Sequence, residues 1–332
     1  MCKGAMDKRD ASIGQKQRPP LRLLLSLESF SSNGGGKGGT EEPPGLLSFF
    51  LTGVIVVSFL IGMEMTFRHL FQQIRHWHPL LENETNRQIL SRHIGVDALS
   101  CAIVAWLGWQ ARHIQWCLFQ AALSSSKSKR SESKDGKSSS DCPFMPAAGH
   151  EQRMYTYHPS GFRIALFFFF YQVKNLYDTI VWHDGPEFIF HHVFSLITAW
   201  GAMYPGCGHF YTLFFFGISE ISTAVLCVLA NFDERHGVPG LGDAFPMVKV
   251  ALGAVFVVLF IVFRCILWPL VSYYFARDVL LALKGHDERT LQRKTWLKFF
   301  LVSLTGLSAL QVAWLGQIFL IAKEELIKVG LV

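Results

Sequence analysis

The chain has 332 residues, half of them hydrophobic, with 29 Phe and 9 Trp, and it carries a net charge of +6. Its apolar residues fall in blocks of about 18 or more, long enough to cross a hydrocarbon layer of roughly 30 Å, and not at the spacing of a soluble core. The basic surplus sits in the N-terminal tail and the loops, which argues against nucleic acid as a partner and suits the flanks of a membrane protein. The seven Cys form no C-x-x-C pair and give neither a disulfide framework nor a zinc ribbon.

Residues 1–45 are basic, then rich in Gly, Ser and Pro, and predict a disordered tail. Residues 46–86 predict the first transmembrane helix and a polar loop. The span itself is expected at 46–63, with Glu64 and Arg68 marking its end and an interfacial helix following around 67–77. The loop contains Asn83-Glu84-Thr85, an N-glycosylation sequon if this side is lumenal.

A second span is expected at 94–109. The Ser- and Lys-rich segment 124–141 that follows has almost no apolar residues and predicts a disordered, solvated loop. The third span, at 161–182, places Tyr171, Lys174, Asn175, Asp178 and Trp182 three or four residues apart, on one helical face. Lys174 and Asp178 are spaced to pair with each other, so this face reads either as an internal ion pair or as part of a site.

The fourth span, 187–204, starts behind Pro186, which suits a first helical turn, and Asp184 is expected to cap it. The fifth, 210–230, has Ser219, Glu220, Ser222 and Thr223 near its middle. The sixth, 247–274, contains Arg264, and the seventh, 296–322, contains Gln311 and Gln317. Residues 326–332 are read as a C-terminal tail. The expected fold is therefore all-α, a polytopic integral membrane bundle of about seven helices. Lys and Arg number eighteen on the side of the N-terminal tail and seven on the other, which places the N-terminus in the cytoplasm.

Polar groups are costly in hydrocarbon, so two adjacent histidines, His191 and His192, stand out inside a span. Asp184 lies seven residues before His191, and Asp178, in N-L-Y-D-T, thirteen before it. Downstream come S-E-I-S-T at 219–223, F-R-C-I-L-W-P at 263–269 and L-Q-V-A-W at 310–314. In order and spacing these motifs resemble the TLC domain (TRAM/Lag/CLN-type), a polytopic endoplasmic-reticulum module, over residues 87–325.

The resemblance implies six helices around a lipid-sized cavity, here with one added N-terminal helix, and a role in lipid synthesis, sensing or transport. In the ceramide-synthase branch a fatty acyl group passes from acyl-CoA to the amine of a sphingoid base, and a histidine pair matching His191 and His192 lies in the active site. This chain departs from that branch. Ser195 stands where the synthase signature has Thr, and the next helix offers Glu220 with Ser219, Ser222 and Thr223 in place of an Asp pair. Synthases are also usually drawn with a cytoplasmic C-terminus, opposite to seven spans from a cytoplasmic N-terminus. The S-E-I-S-T version looks more like TLC proteins outside the synthase branch. The first expectation is thus a role in membrane lipid homeostasis. The alternatives are a ceramide-synthase-type N-acyltransferase with acyl-CoA as co-substrate, and an endoplasmic-reticulum cargo receptor or chaperone. The expected partner is a membrane lipid or fatty-acyl substrate, with oligomer formation open and no cofactor.

Acyl transfer to an amine needs a base, which imidazole can supply when a carboxylate fixes its tautomer, or a nucleophile that carries the acyl group. Successive helix residues project about 100° apart. One histidine is therefore expected to face substrate and the other to brace it or a neighbouring helix. Asp178, Glu220 and Arg264 are the charges expected to orient or balance the pair, with Asn175 and Asp184 in support. The bland alternative makes the pair a structural hydrogen-bond node with Asp178 and Glu220 as partners. A metal is not expected, although His183, Glu187 and His191 fall at i, i+4 and i+8.

Overall fold

A computed structural model describes residues 45–113, 115, 149–204, 206–285 and 288–328. The predicted disordered segments, 1–44 and 124–141, lie outside the described residues. All regular structure among the described residues is helical. Among the described residues seven long helices follow one another: α1 (Leu46–Gln73), α2 (Glu84–Gln110), α4 (Pro159–Trp182), α5 (Pro186–Met203), α6 (His209–Phe232), α7 (Pro246–Lys284) and α8 (Glu288–Lys328), with the short α3 (His150–Tyr155) ahead of α4. The chain is a multi-pass membrane protein with a polytopic helical bundle.

Five of these helices, α1, α2, α6, α7 and α8, are long and apolar enough to cross a membrane. Helices α4 and α5 have 24 and 18 residues, and their polar side chains, Arg163, Lys174 and Asp178 on one and Glu187, His191 and His192 on the other, dilute their apolarity. The helices that interrupt the hydrocarbon pattern most are the ones that carry the histidines and the Lys174–Asp178 pair.

Helix starts and stops follow local chemistry. Asn83 caps α2 by accepting a hydrogen bond from the Thr85 amide at 2.9 Å. Pro159, Pro186 and Pro246 stand in the first turns of α4, α5 and α7, where a missing N–H costs nothing. Helix α4 stops at His183, which takes the left-handed conformation (φ 57°, ψ 43°), and Gly185 at φ 134° completes the reversal into α5.

Several boundaries differ from the sequence reading, three of them because a charge finds a partner inside the bundle. Glu64 does not end α1, since its carboxylate lies 2.9 Å from Lys174 Nζ and the helix runs on to Gln73. The interfacial helix expected at 67–77 is the end of α1 plus a single turn, Arg75–Trp77. Helix α2 begins ten residues before its expected start because Arg92 and Asp97 are buried within it. Helix α7 continues past Tyr274 to Lys284, carrying Asp278 into full burial. There Arg153 of α3 clamps it through two hydrogen bonds, 2.6 and 2.8 Å, and Tyr211 of α6 donates a third at 2.5 Å. Helix α8 continues to Lys328, into the stretch 326–332 read as a tail.

Close backbone approach fixes how α2 and α6 cross. A Cβ on Gly108 would lie 2.7 Å from the Ile218 nitrogen, and one on Gly217 would lie 3.0 Å from the Gly108 Cα. Small residues at such crossings let membrane helices pack where hydrophobic force is absent. Three stretches widen into π-helical turns: Ser91–Ala98 in α2, Leu213–Ile218 in α6 and Ile261–Leu267 in α7. Such turns shift the register of the side chains that follow and are frequent at functional sites. Phe210, Tyr211 and Phe214 of α6 pack with Trp268 and Phe275 of α7 and Phe300 of α8 into the main aromatic core.

Candidate functional site

A small cavity of about 60 Å³ opens between α4, α5, α6, α7 and α8. His191, Ser195, Thr198 and Ala202 of α5 line one wall, so the cavity runs beside twelve residues of that helix, about 16 Å at the usual rise. Glu220 and Arg264 contribute its buried charges, and Phe168, Phe215, Phe216, Trp268, Phe275, Phe300, Leu304 and Leu307 give it an apolar surround. Polar groups set in an otherwise apolar hollow are the usual make-up of a small-molecule site.

The two histidines part company here. His191 lines the cavity, and its Nδ1 is buried with no hydrogen-bond partner among the described residues. Its ring stands edge-on to Trp314 of α8, with centroids 5.4 Å apart. His192 points instead at α4, where its Nδ1 lies 2.6 Å from Gln172 Oε1.

The S-E-I-S-T stretch wraps one guanidinium. Arg264 Nη2 donates to Glu220 Oε1 at 3.0 Å and to Thr223 Oγ1 at 2.9 Å, and its Nε donates to Ser222 Oγ at 3.3 Å. The Arg264 group also lies over the Trp268 ring, 5.1 Å from its centroid. The second carboxylate oxygen of Glu220 accepts from the Cys101 thiol at 3.7 Å. One π-helical turn ends just before Ser219 and another contains Arg264, so both members of the ion pair depend on a local change of helical register.

The other expected site residues lie elsewhere. Asp178 pairs with Lys174 at 2.5 Å and not with either histidine. Asp184 does not cap α5, whose cap is Gly185. Its carboxylate is taken by Arg92, a stronger partner than the weakly charged end of a helix. Asn175 donates to the Tyr171 hydroxyl at 3.0 Å, and that hydroxyl lies 3.5 Å from the Cys101 sulfur. His183 sits beyond the end of α4 in the left-handed region and Glu187 begins α5, so the i, i+4, i+8 face does not form. Among the described residues no group of three His, Cys, Asp or Glu is placed to hold a metal.

The sequence reading missed Gln172, Glu64, Arg92 and Asp97. Gln172 sits one residue before Val173 in the same polar run as Lys174, and a neutral amide gave no separate signal. Arg92 reaches from α2 to Asp184, with its Nε 4.0 Å from Asp97 Oδ2. Thr198 and Ser303, 2.7 Å apart on the cavity wall, tie α5 to α8.

A family model described as the TLC domain matches residues 95–320 of this chain. No curated protein and no solved structure matches it.

Proposed function

The chain belongs to the TLC domain family, and on that premise we propose that it holds a membrane lipid in the α4–α8 cavity and acts in membrane lipid homeostasis, in the endoplasmic-reticulum membrane. The observation that carries this reading is the cavity itself, where an imidazole and a buried Glu220–Arg264 pair stand among aromatic walls between membrane helices. Such a hollow suits the polar group of a lipid, which can meet His191 or Arg264 while the long apolar part lies along the aromatic walls.

The wiring of the carboxylates favours binding or sensing over acid–base chemistry. A catalytic imidazole is commonly oriented by a carboxylate. Here Asp178 is committed to Lys174, Asp184 to Arg92 and Glu220 to Arg264, while His192 has the neutral amide of Gln172. One observation favours the acyltransferase alternative, namely that His191 lines the cavity and its buried Nδ1 has no hydrogen-bond partner among the described residues.

Lipid profiles of cells with and without the protein test the first reading, with His191→Ala at equal expression as the control. A lipid class that shifts with the protein and returns with the variant supports it; unchanged profiles contradict it. Acyl transfer from labelled acyl-CoA to a sphingoid base, in membranes from a host lacking its own ceramide synthases, tests the alternative. Product made by the wild type and lost in His191→Ala would replace the first reading with the second.

A further inference from the structure

Asn83-Glu84-Thr85 is the single N-x-Ser/Thr triplet in the chain, and neither the cavity nor the ion pairs use it. Asn83, Glu84 and Thr85 are all exposed, in the connection between α1 and α2. From Glu64 to Gln73 helix α1 runs ten residues beyond its apolar block, which lifts this connection about 15 Å at the usual rise. By the Lys and Arg count along the sequence, the connection falls in the set of loops poor in Lys and Arg, which the positive-inside rule makes lumenal.

We propose that Asn83 is an N-glycosylation site. The acceptor is its Nδ2, and the donor class is an oligosaccharide carried on a lipid pyrophosphate. A bond forms between Nδ2 and the anomeric carbon, the anomeric carbon–oxygen bond to phosphate breaks, the lipid pyrophosphate leaves, and Nδ2 gives up one proton. The fold accommodates the product. Asn83 caps α2 through Oδ1, which accepts from the Thr85 amide at 2.9 Å, so the nitrogen that takes the sugar is not the atom that holds the helix. The neighbouring Arg68–Glu84 pair is itself exposed and leaves the amide face open to a glycan. The modification marks the α1–α2 connection as lumenal and does not depend on what the cavity binds.

The test is translation of the full chain in microsomes that glycosylate a control protein in parallel. The wild type is expected to show one step up in apparent mass that peptide N-glycosidase removes. Asn83→Gln and Thr85→Ala should both abolish the step, and Thr85→Ser, which keeps the hydroxyl, should retain it. Thr85→Ala keeps the Asn83 side chain and the backbone amide of the cap, so its loss of the step is not a loss of fold. An unshifted wild type, or a step that persists in Thr85→Ala, would overturn the proposal.

Discussion

His192 and Gln172 meet across the α4–α5 interface, Nδ1 to Oε1 at 2.6 Å, while the adjacent His191 lines the cavity. One helical step of rotation thus gives two identical side chains different surroundings. Gln172 Oε1 is an acceptor, so His192 Nδ1 is the donor, and the bond fixes both the tautomer and the spacing of the two helices.

The two histidines should therefore fail differently. His192→Ala and Gln172→Ala each strand a buried polar group and are expected to cost about 1–3 kcal/mol. Combined, they should cost clearly less than the sum of the two. His191→Ala removes a side chain whose Nδ1 has no partner among the described residues, and it should leave thermal unfolding in detergent within a few degrees of wild type. Unfolding midpoints of the four proteins check this.

Arg264 depends on Glu220 for its charge balance, with both side chains more than nine-tenths buried. Glu220→Gln or Arg264→Met alone should destabilise by about 3–5 kcal/mol, because each leaves an uncompensated buried charge. The double variant should recover much of that loss. If it proves as unstable as the worse single variant, the pair is not the unit described here.

Gly108 tests the α2–α6 crossing. Gly108→Ala puts a methyl 2.7 Å from the Ile218 backbone nitrogen, and overpacking of this kind should cost about 1–3 kcal/mol. Gly62→Ala in α1 meets nothing within 4 Å and should be neutral or gain up to about 1 kcal/mol from helix propensity. Thermal unfolding of the two variants side by side separates a packing effect from a general intolerance of change.

Cys207 lies in the connection between α5 and α6, and burial pushes its thiol up to about 12. The thiolate is the reactive form, so a variant retaining only this cysteine should resist maleimide near neutral pH and react as the pH is raised. Rapid labelling of the folded protein at pH 7 would show that the connection is open.

The membrane class and most of the helices were legible because blocks of apolar residues report burial in hydrocarbon directly. The ends were not. Glu64, Arg92 and Asp278 look like boundary signals in isolation, and each is paired inside the bundle with a residue far away in sequence. The same holds for the site. His191, Glu220 and Arg264 were named from the sequence, and the structure brings them to one cavity. Asp178 and Asp184 carry the same formal charge as Glu220 and looked equally eligible to serve the histidines. What separates them is which cation each meets after folding, and a spacing within one helix cannot report that. Lys174–Asp178 is the exception, since an i, i+4 pair is readable from the chain alone.

The central claim is that the cavity beside His191 holds a membrane lipid. The most direct measurement is native mass spectrometry of the full chain purified in mild detergent, compared with Ala202→Phe and Leu304→Trp, which fill the cavity from two helices. The account predicts a discrete lipid adduct on the wild type that both variants lose while remaining monodisperse. A lipid-free wild type, or an adduct equally abundant in the filled variants, would contradict it.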